Sequence, residues 1–197
     1  MATLPALAFA SALATATLNP AVGDYPPDAL RRKASVAGVI DAMIDAEGKA
    51  TACTFRPLEG DASMGETLCT AVLKLRHTPA RDAEGNTTTG ELMLLARLFI
   101  PETPDGEKVA GARQPADAEL ALRHIAGDTS GTNVKILVSV DERGAVTRCA
   151  PERRERQKKL ADAVCKDAER LAPRQRKGAD GTPLAYVTQL LVRVVGG

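Results

Sequence analysis

The chain has 197 residues, of which 44% are hydrophobic and 26% charged, a composition typical of one globular domain or two small ones. Its formal net charge of +1 gives no electrostatic reason to expect nucleic acid or an anionic membrane surface as a partner. With three Phe, two Tyr and no Trp, the core must be built from Val, Leu, Ile and Ala.

The first 21 residues are predicted to be a leader. Residues 3–17 are small and apolar, like the hydrophobic region and A-x-A cleavage site of a signal peptide, yet the first basic residue is Arg31. Three interpretations stay open: a signal-like leader, an Ala-rich disordered leader, or a wrongly chosen start codon. No stretch reaches the roughly 20 apolar residues of a membrane-spanning helix, so no span is predicted.

A short helix is predicted near residues 26–34, followed by a β-hairpin. Residues 39–44 are predicted to form its first strand. The turn Asp45-Ala46-Glu47-Gly48 follows, in which Gly48 can adopt a positive φ. The second strand carries Cys53.

A helix and a last strand complete this first unit. The helix shows apolar residues at steps of three and four, with Cys69 beside them; they are Met64, Leu68, Ala71, Val72 and Leu75. A loop with Asp82-Ala83-Glu84-Gly85 leads to a strand over residues 91–99. Its two rows of side chains are Leu92, Leu94, Ala96, Leu98 and Met93, Leu95, Arg97, Phe99. We expect one row to face the helix and the other to be more exposed. Because both are largely apolar, a partner or the other half must protect this strand.

The same pattern returns later in the chain. Residues 101–115 have linker composition, and a second short helix is predicted near 116–125. An alternating strand then ends in the turn Asp141-Glu142-Arg143-Gly144. The remaining elements are a strand with Cys149, a helix with Cys165 and a last strand over residues 187–195. The apolar positions of the first strand and of the helix are Val134, Ile136, Val138, Val140, Leu160, Val164, Ala168 and Leu171.

The two halves match without gaps when the sequence is shifted by 96 positions, the distance from Cys53 to Cys149. Identical pairs include Asp45/Asp141, Gly48/Gly144, Thr51/Thr147, Leu75/Leu171, Gly85/Gly181, Leu94/Leu190 and Arg97/Arg193. The sequence therefore predicts an α+β protein of two tandem small domains. Each is an antiparallel β-β-α-β unit, preceded by a short helix, with its main helix packed on one sheet face. The predicted boundaries are 1–21 for the leader, 22–101 for the first domain, 102–115 for a linker and 116–197 for the second domain.

The four cysteines predict the disulfides Cys53–Cys69 and Cys149–Cys165, which share one spacing. Units of about 80 residues have marginal cores. A disulfide that closes the loop between the two cysteines of a unit would stabilise the fold by on the order of 3 kcal/mol. Disulfides imply an oxidising compartment. Metal binding, which needs about four close ligands, is the rival, but His77 corresponds to Pro173 in the other half. Free buried thiols are the remaining alternative.

No catalytic constellation is visible. The only histidines, His77 and His124, are not equivalent under the repeat and belong to no recognisable triad or metal motif. Glycine-rich phosphate loops are absent, and the basic run 152–177 lacks the aromatic residues of a nucleic-acid surface. We therefore predict no enzymatic activity, no catalytic or metal-binding residue, no cofactor and no nucleic-acid partner.

Several motifs in order resemble the C-terminal domain of TonB-family energy transducers. The first is Tyr25-Pro26-Pro27-Asp28-Ala29-Leu30-Arg31-Arg32, then come Gly38 with the strand 39–44, and Asp45-Ala46-Glu47-Gly48-Lys49-Ala50-Thr51-Ala52-Cys53. Downstream, Leu68-Cys69 and Pro79-Ala80-Arg81-Asp82-Ala83-Glu84-Gly85 resemble family members that carry a cysteine pair. The resemblance covers roughly residues 22–100, and reaches 116–195 only through the internal repeat. Its motif positions are Tyr25, Pro26, Gly38 and Gly48.

The resemblance implies a small antiparallel sheet with helices on one face, a periplasmic location, and an extended peptide of an outer-membrane receptor, or another periplasmic protein, as partner. The family pairs such a peptide with its last strand, a case of β-augmentation. Here that edge is Glu91, Leu92, Met93, Leu94, Leu95, Ala96, Arg97, Leu98 and Phe99. The alternative is a stand-alone periplasmic scaffold whose two repeats pair with each other without transducing energy. Whether the last strand is paired separates the two functions. The sequence indicates neither a receptor nor an oligomeric state.

Overall fold

The computed structural model describes residues 13–17, 25–122 and 131–196 of the chain. The fold is α+β, as predicted, with a seven-stranded mixed sheet and two small two-stranded sheets. The N-terminal half contains α1 (Pro27–Arg31), β1 (Val36–Ile44), β2 (Ala50–Gly60), α2 (Met64–Lys74), β3 (Ala80–Arg81), β4 (Thr87–Thr88) and β5 (Gly90–Leu98). The connection contains α3 (Pro104–Gly111) and β6 (Ala118–Leu122). The C-terminal half contains β7 (Asn133–Val140), β8 (Val146–Pro151), α4 (Lys158–Lys166), a 3₁₀ turn (Ala168–Arg170), β9 (Arg176–Lys177), β10 (Pro183–Leu184) and β11 (Tyr186–Gly196).

The helix predicted near 26–34 is confirmed by α1, but the helix predicted near 116–125 is wrong. Residues 118–122 form β6, which pairs in parallel with the end of β11, from Val192 opposite Ala118 onward. Leu120 and Leu122 are buried, so the apolar positions alternate as in a strand. Residues 123–125 lie outside the described part of the chain.

The segment of linker composition folds onto the sheet. Within 102–115, α3 begins after Thr103, whose side-chain oxygen accepts the Gly106 N–H at 3.0 Å. Val109 is fully buried against Ala37 and Leu95, so this segment contributes to the core. The predicted domain boundaries stay a prediction.

The long sheet has the order β2-β1-β5-β11-β7-β8. Pairs within each hairpin, and β1 with β5 and β7 with β11, are antiparallel. The two last strands, however, meet in parallel at Val187 opposite Gly90, and β6 pairs with β11 in parallel. The sheet is mixed because β5 and β11, the last strands of the two halves, run parallel where they meet, and because β6 also runs parallel to β11.

The core lies on both faces of this sheet. On one face, α2 places Val72 against Ile40 and Ala42 of β1. On the other face, α4 places Val164 against β7, and this cluster includes Met43 of β1. Because Met43 differs in parity from Ile40 and Ala42, it points to the opposite face, so α2 and α4 cover opposite faces of one sheet.

Candidate functional site

The predicted pairing strand β5 is paired along one edge and mostly unpaired along the other. Its inner edge pairs with β1 from Val36 opposite Leu98 to Ile44 opposite Gly90. On the outer edge, the Val187 N–H donates to the Thr89 carbonyl at 3.0 Å, and the pairing with β11 ends at Gly90.

Backbone groups of alternate residues point to opposite strand edges. Since the Thr89 carbonyl points outward, the N–H and C=O groups of Met93, Leu95 and Arg97 also lie on the outer edge of β5. In residues 13–17, 25–122 and 131–196, no strand pairs with this outer edge after the bridge at Gly90. The unpaired section of β5 therefore spans residues 93–97.

The equivalent strand β11 has partners on both edges. One edge pairs with β7, and the other with β5 at its start and β6 at its end. Asp117 closes the gap, since its N–H donates to the Leu191 carbonyl and its carboxylate accepts the Leu191 N–H, both at 2.8 Å. Residues 187–195 therefore present no long free edge.

The two terminal strands of the sheet carry prolines at outward positions. Pro57 of β2 lies opposite Gly38, and Pro151 of β8 lies opposite Ile136. Next to Pro151, the Glu152 N–H donates to the Lys135 carbonyl at 3.1 Å, so the nitrogen of Pro151 faces away from β7. A proline there offers no N–H to an incoming strand, which discourages pairing at both ends of the sheet.

The side chains of β5 are covered on both faces. Leu94 and Ala96 pack in the cluster on the α2 face, and the buried Leu92 points to the same face because it has the same parity in the strand. The second row, expected to be more exposed, is covered by other parts of the chain: Met93 packs on the C-terminal core and Leu95 packs on α3. This row is protected because the other half and the connection both fold over it.

The ends of the predicted edge differ from its centre. Glu91 is only 3% exposed and is ion-paired, whereas the exposed Arg97 donates to the Ala112 carbonyl. Leu98 ends the strand and packs near Met64. Phe99 follows the strand and is 41% exposed, so it lies beyond the paired residues.

A buried charge cluster joins the halves beside β5. The Arg176 guanidinium donates through Nε to Glu91 at 2.7 Å and through Nη2 to Glu91 and to Asp41. Burial raises the pKa of Glu91, although Arg176 opposes the rise. Burial works to lower the pKa of Arg176, but the two carboxylates outweigh it and raise that pKa. The sequence signal for this cluster was a charge within each of two apolar strands, Asp41 and Glu91.

The cluster borders a cleft of about 280 Å³ that is lined by Asp41, Glu91, Met93, Asp117 and Arg174 among others. Burial raises the pKa of Asp117, although the Leu191 N–H lowers it. The cleft lies where β5 and β11 separate, so it adjoins the unpaired edge of β5.

The four motif positions of the resemblance shape the hairpin and the helix before it. The Tyr25 hydroxyl donates to the Ala34 carbonyl, and Pro26 directly precedes α1. Gly38 lies against the ring of Phe55. Gly48 has φ +80° in the β1–β2 turn, where a side chain would collide with the His77 carbonyl.

Both predicted disulfides are present. Cys53–Cys69 ties β2 to α2, and Cys149–Cys165 ties β8 to α4, with Cα–Cα distances of 5.5 and 5.3 Å. His77 is buried, with Nε2 at 2.8 Å from the Val72 carbonyl oxygen, whereas His124 lies outside the described residues.

The part of the chain that the structure describes contains no group of three or more His, Cys, Asp or Glu side chains placed to hold a metal ion. None of its helices is long and apolar enough to cross a membrane.

No protein-family model, curated protein or solved structure matches this chain.

Proposed function

We propose that this chain is a periplasmic coupling or peptide-binding module of the TonB type. The outer edge of β5 takes up an extended peptide of an outer-membrane receptor by β-augmentation. The observation that carries the proposal is that the backbone N–H and C=O groups of Met93, Leu95 and Arg97 have no strand partner. By contrast, β11 is paired on both edges, and the terminal strands carry Pro57 and Pro151. Two disulfides favour an oxidising compartment such as the periplasm.

We also propose that the chain arose from two tandem copies of one β-β-α-β unit. Shifted by 96 positions, β3 and β4 coincide with β9 and β10. The two hairpin turns are built alike: the Asp45 side chain accepts the Lys49 N–H, and the Asp141 side chain accepts the Ala145 N–H. The matching disulfides support the same conclusion.

Proline substitution at an outward position tests the pairing edge. In Arg97→Pro, the lost N–H points away from β1, so the β1–β5 ladder keeps its bonds. Labelled synthetic peptides of receptor N-terminal segments are titrated by fluorescence anisotropy. We expect Arg97→Pro to bind at least about tenfold more weakly, a loss of about 1.4 kcal/mol.

Two control variants separate the backbone from the side chain. Arg97→Ala removes the side chain but keeps the N–H, and Leu94→Val changes the opposite face, so both should bind like the wild type. Failure of the wild-type chain to bind, with the Met93, Leu95 and Arg97 amides protected from exchange in the free protein, would remove this function.

The second candidate is a periplasmic scaffold whose halves satisfy each other. It is favoured by the side chains that cross between the halves: Met43 and Met93 pack in the C-terminal core, and Leu137 and Val187 pack in the N-terminal core. The Arg176 ion pairs add a buried polar link. Under this function, neither the wild type nor Arg97→Pro binds the receptor peptides, and Arg97→Pro leaves amide exchange in β11 unchanged because the pairing of β5 with β11 ends at Gly90.

A further inference from the structure

Residues 13–17 of the predicted leader are docked as an extended strand against residues 78–81, which end in β3. The Ala14 N–H donates to the Arg81 carbonyl at 3.1 Å, and the Arg81 N–H donates back at 2.8 Å. Thr17 and Thr78 exchange a second pair of backbone bonds, at 3.1 and 3.2 Å. The segment thus makes the reciprocal bonds of antiparallel strand pairing.

The side chains of this segment belong to the core. Leu13 is 4% exposed and Ala16 is fully buried, and both join the cluster formed by Ile40, Ala42 and Val72. Loss of these two side chains would open a cavity beside β1 and α2.

Ala16 fits because β5 begins with a glycine. A Cβ added at Gly90 would lie 2.9 Å from the Ala16 Cβ and 2.7 Å from the Ala80 Cβ, closer than real Cβ contacts. Any larger residue at position 90 therefore competes with Ala16 for the same space. Gly90 and Ala80 form the floor of the groove that receives the segment.

The C-terminal half fills the corresponding place with its own side chain. Tyr186 stands at the position equivalent to Gly90, its ring is 2% exposed, and its hydroxyl donates to the Arg174 carbonyl. Arg174 is the equivalent of Thr78, whose carbonyl accepts the Thr17 N–H. One half satisfies this carbonyl with a tyrosine, and the other with a docked backbone.

We propose that the groove over Gly90 is a strand-docking site for the chain's own residues 13–17, which remain part of the mature protein. The leader contains five overlapping A-x-A triplets, ending at Ala8, Ala10, Ala12, Ala14 and Ala16. Cleavage after Ala14 or Ala16 removes Leu13 from the core, whereas cleavage after Ala12 leaves the docked segment whole. Processing, where it occurs, therefore ends no later than Ala12.

Hydrogen exchange on the full chain tests the docking. In the wild type, the amides of Ala14, Thr17, Thr78 and Arg81 should be protected to a similar degree, since they form reciprocal pairs. Ala16→Leu forces a larger side chain against Gly90 and should speed exchange at all four at least about tenfold. Thr17→Ala changes an exposed side chain, keeps the N–H, and should leave all four rates unchanged.

The mass of the chain after expression with export provides an independent readout. An N-terminus at Leu13 or before it supports the proposal. An N-terminus at Thr15 or Thr17, or unprotected amides at Thr78 and Arg81 in the wild type, overturns it, as does an Ala16→Leu variant with wild-type exchange at all four positions.

Discussion

At the scale of single residues, Arg176 has the largest predicted energetic role. It is the cation between Asp41 and Glu91, and all three side chains are less than 20% exposed. Arg176→Met leaves two neighbouring carboxylates without a counter-charge, which typically destabilises by about 3–5 kcal/mol. Urea unfolding at pH 7 measures the loss.

A matched arginine on the surface provides the control for this prediction. Arg193 lies 3.8 Å from Glu119, and their side chains are 52% and 62% exposed. Arg193→Met should therefore cost less than about 1 kcal/mol. Equal losses in the two arginine variants would contradict the role assigned to Arg176.

Asp61 is expected to contribute to the loss of folding stability in acid. The Ser63 hydroxyl and Arg32 lower the pKa of Asp61 to about 2 through hydrogen bonds at 2.7 and 2.5 Å. Because the folded pKa lies below the unfolded one, this carboxylate stabilises above the unfolded pKa, and the stabilisation is lost as pH falls toward 2.

The variant Asp61→Asn should remove this pH-dependent contribution. Unfolding free energies of wild type and variant, measured from pH 5 to pH 2, should therefore converge as the pH falls. A difference that stays constant over this range would show that Asp61 acts through its shape and not through its charge.

At the scale of elements, we expect the two disulfides to stabilise their halves to a similar degree. Each closes a loop with a sequence separation of 16 and ties a hairpin strand to a helix. Replacing both cysteines of one pair by alanine should lower the free energy of unfolding by about 2–4 kcal/mol, and by a similar amount for either pair. Denaturant unfolding of the two double variants checks this, and a pair whose removal costs nothing would contradict it.

Elements with a strong period could be predicted from the sequence, and those that depend on distant partners could not. The alternation in β7 and the apolar stripe of α2 are local signals. Residues 118–122, Ala-Glu-Leu-Ala-Leu, are good helix formers, but pairing with β11 outweighs that propensity and makes them β6. The docking of α3 also depends on a distant partner, the sheet under Val109.

The same division between local signals and distant contacts holds for the candidate site. The composition of residues 91–99 predicts the strand, and one row of its side chains, which includes Leu94 and Ala96, faces α2 as expected. The cover over Met93 and Leu95 comes from another half and from α3, and no local pattern encodes such contacts. The Arg176 cluster joins residues that are far apart in sequence. The only sequence signal for it is the presence of one acidic residue, Asp41 or Glu91, in each of two apolar strands.

At the scale of the whole molecule, the halves are coupled through side chains that cross between them. Met43 belongs to β1 of the N-terminal half, yet it is 5% exposed and packs in the cluster of α4 and β7. Leu137 of β7 packs in the cluster of α2 in the same reciprocal way. Two halves that complete each other's cores should unfold together.

Met43→Ala tests this coupling, because it removes a side chain from one half and leaves the cavity in the core of the other. We expect a loss of about 2–5 kcal/mol in the free energy of unfolding. Calorimetry should show one transition in wild type and variant, and amide exchange should accelerate equally in β1 and β7. Leu73→Ala is the control, since Leu73 is 43% exposed on α2 and its truncation should change stability by less than about 0.5 kcal/mol. Two separate transitions, of which Met43→Ala shifts only one, would show that the halves fold independently, and the unpaired edge of β5 would then belong to an autonomous domain.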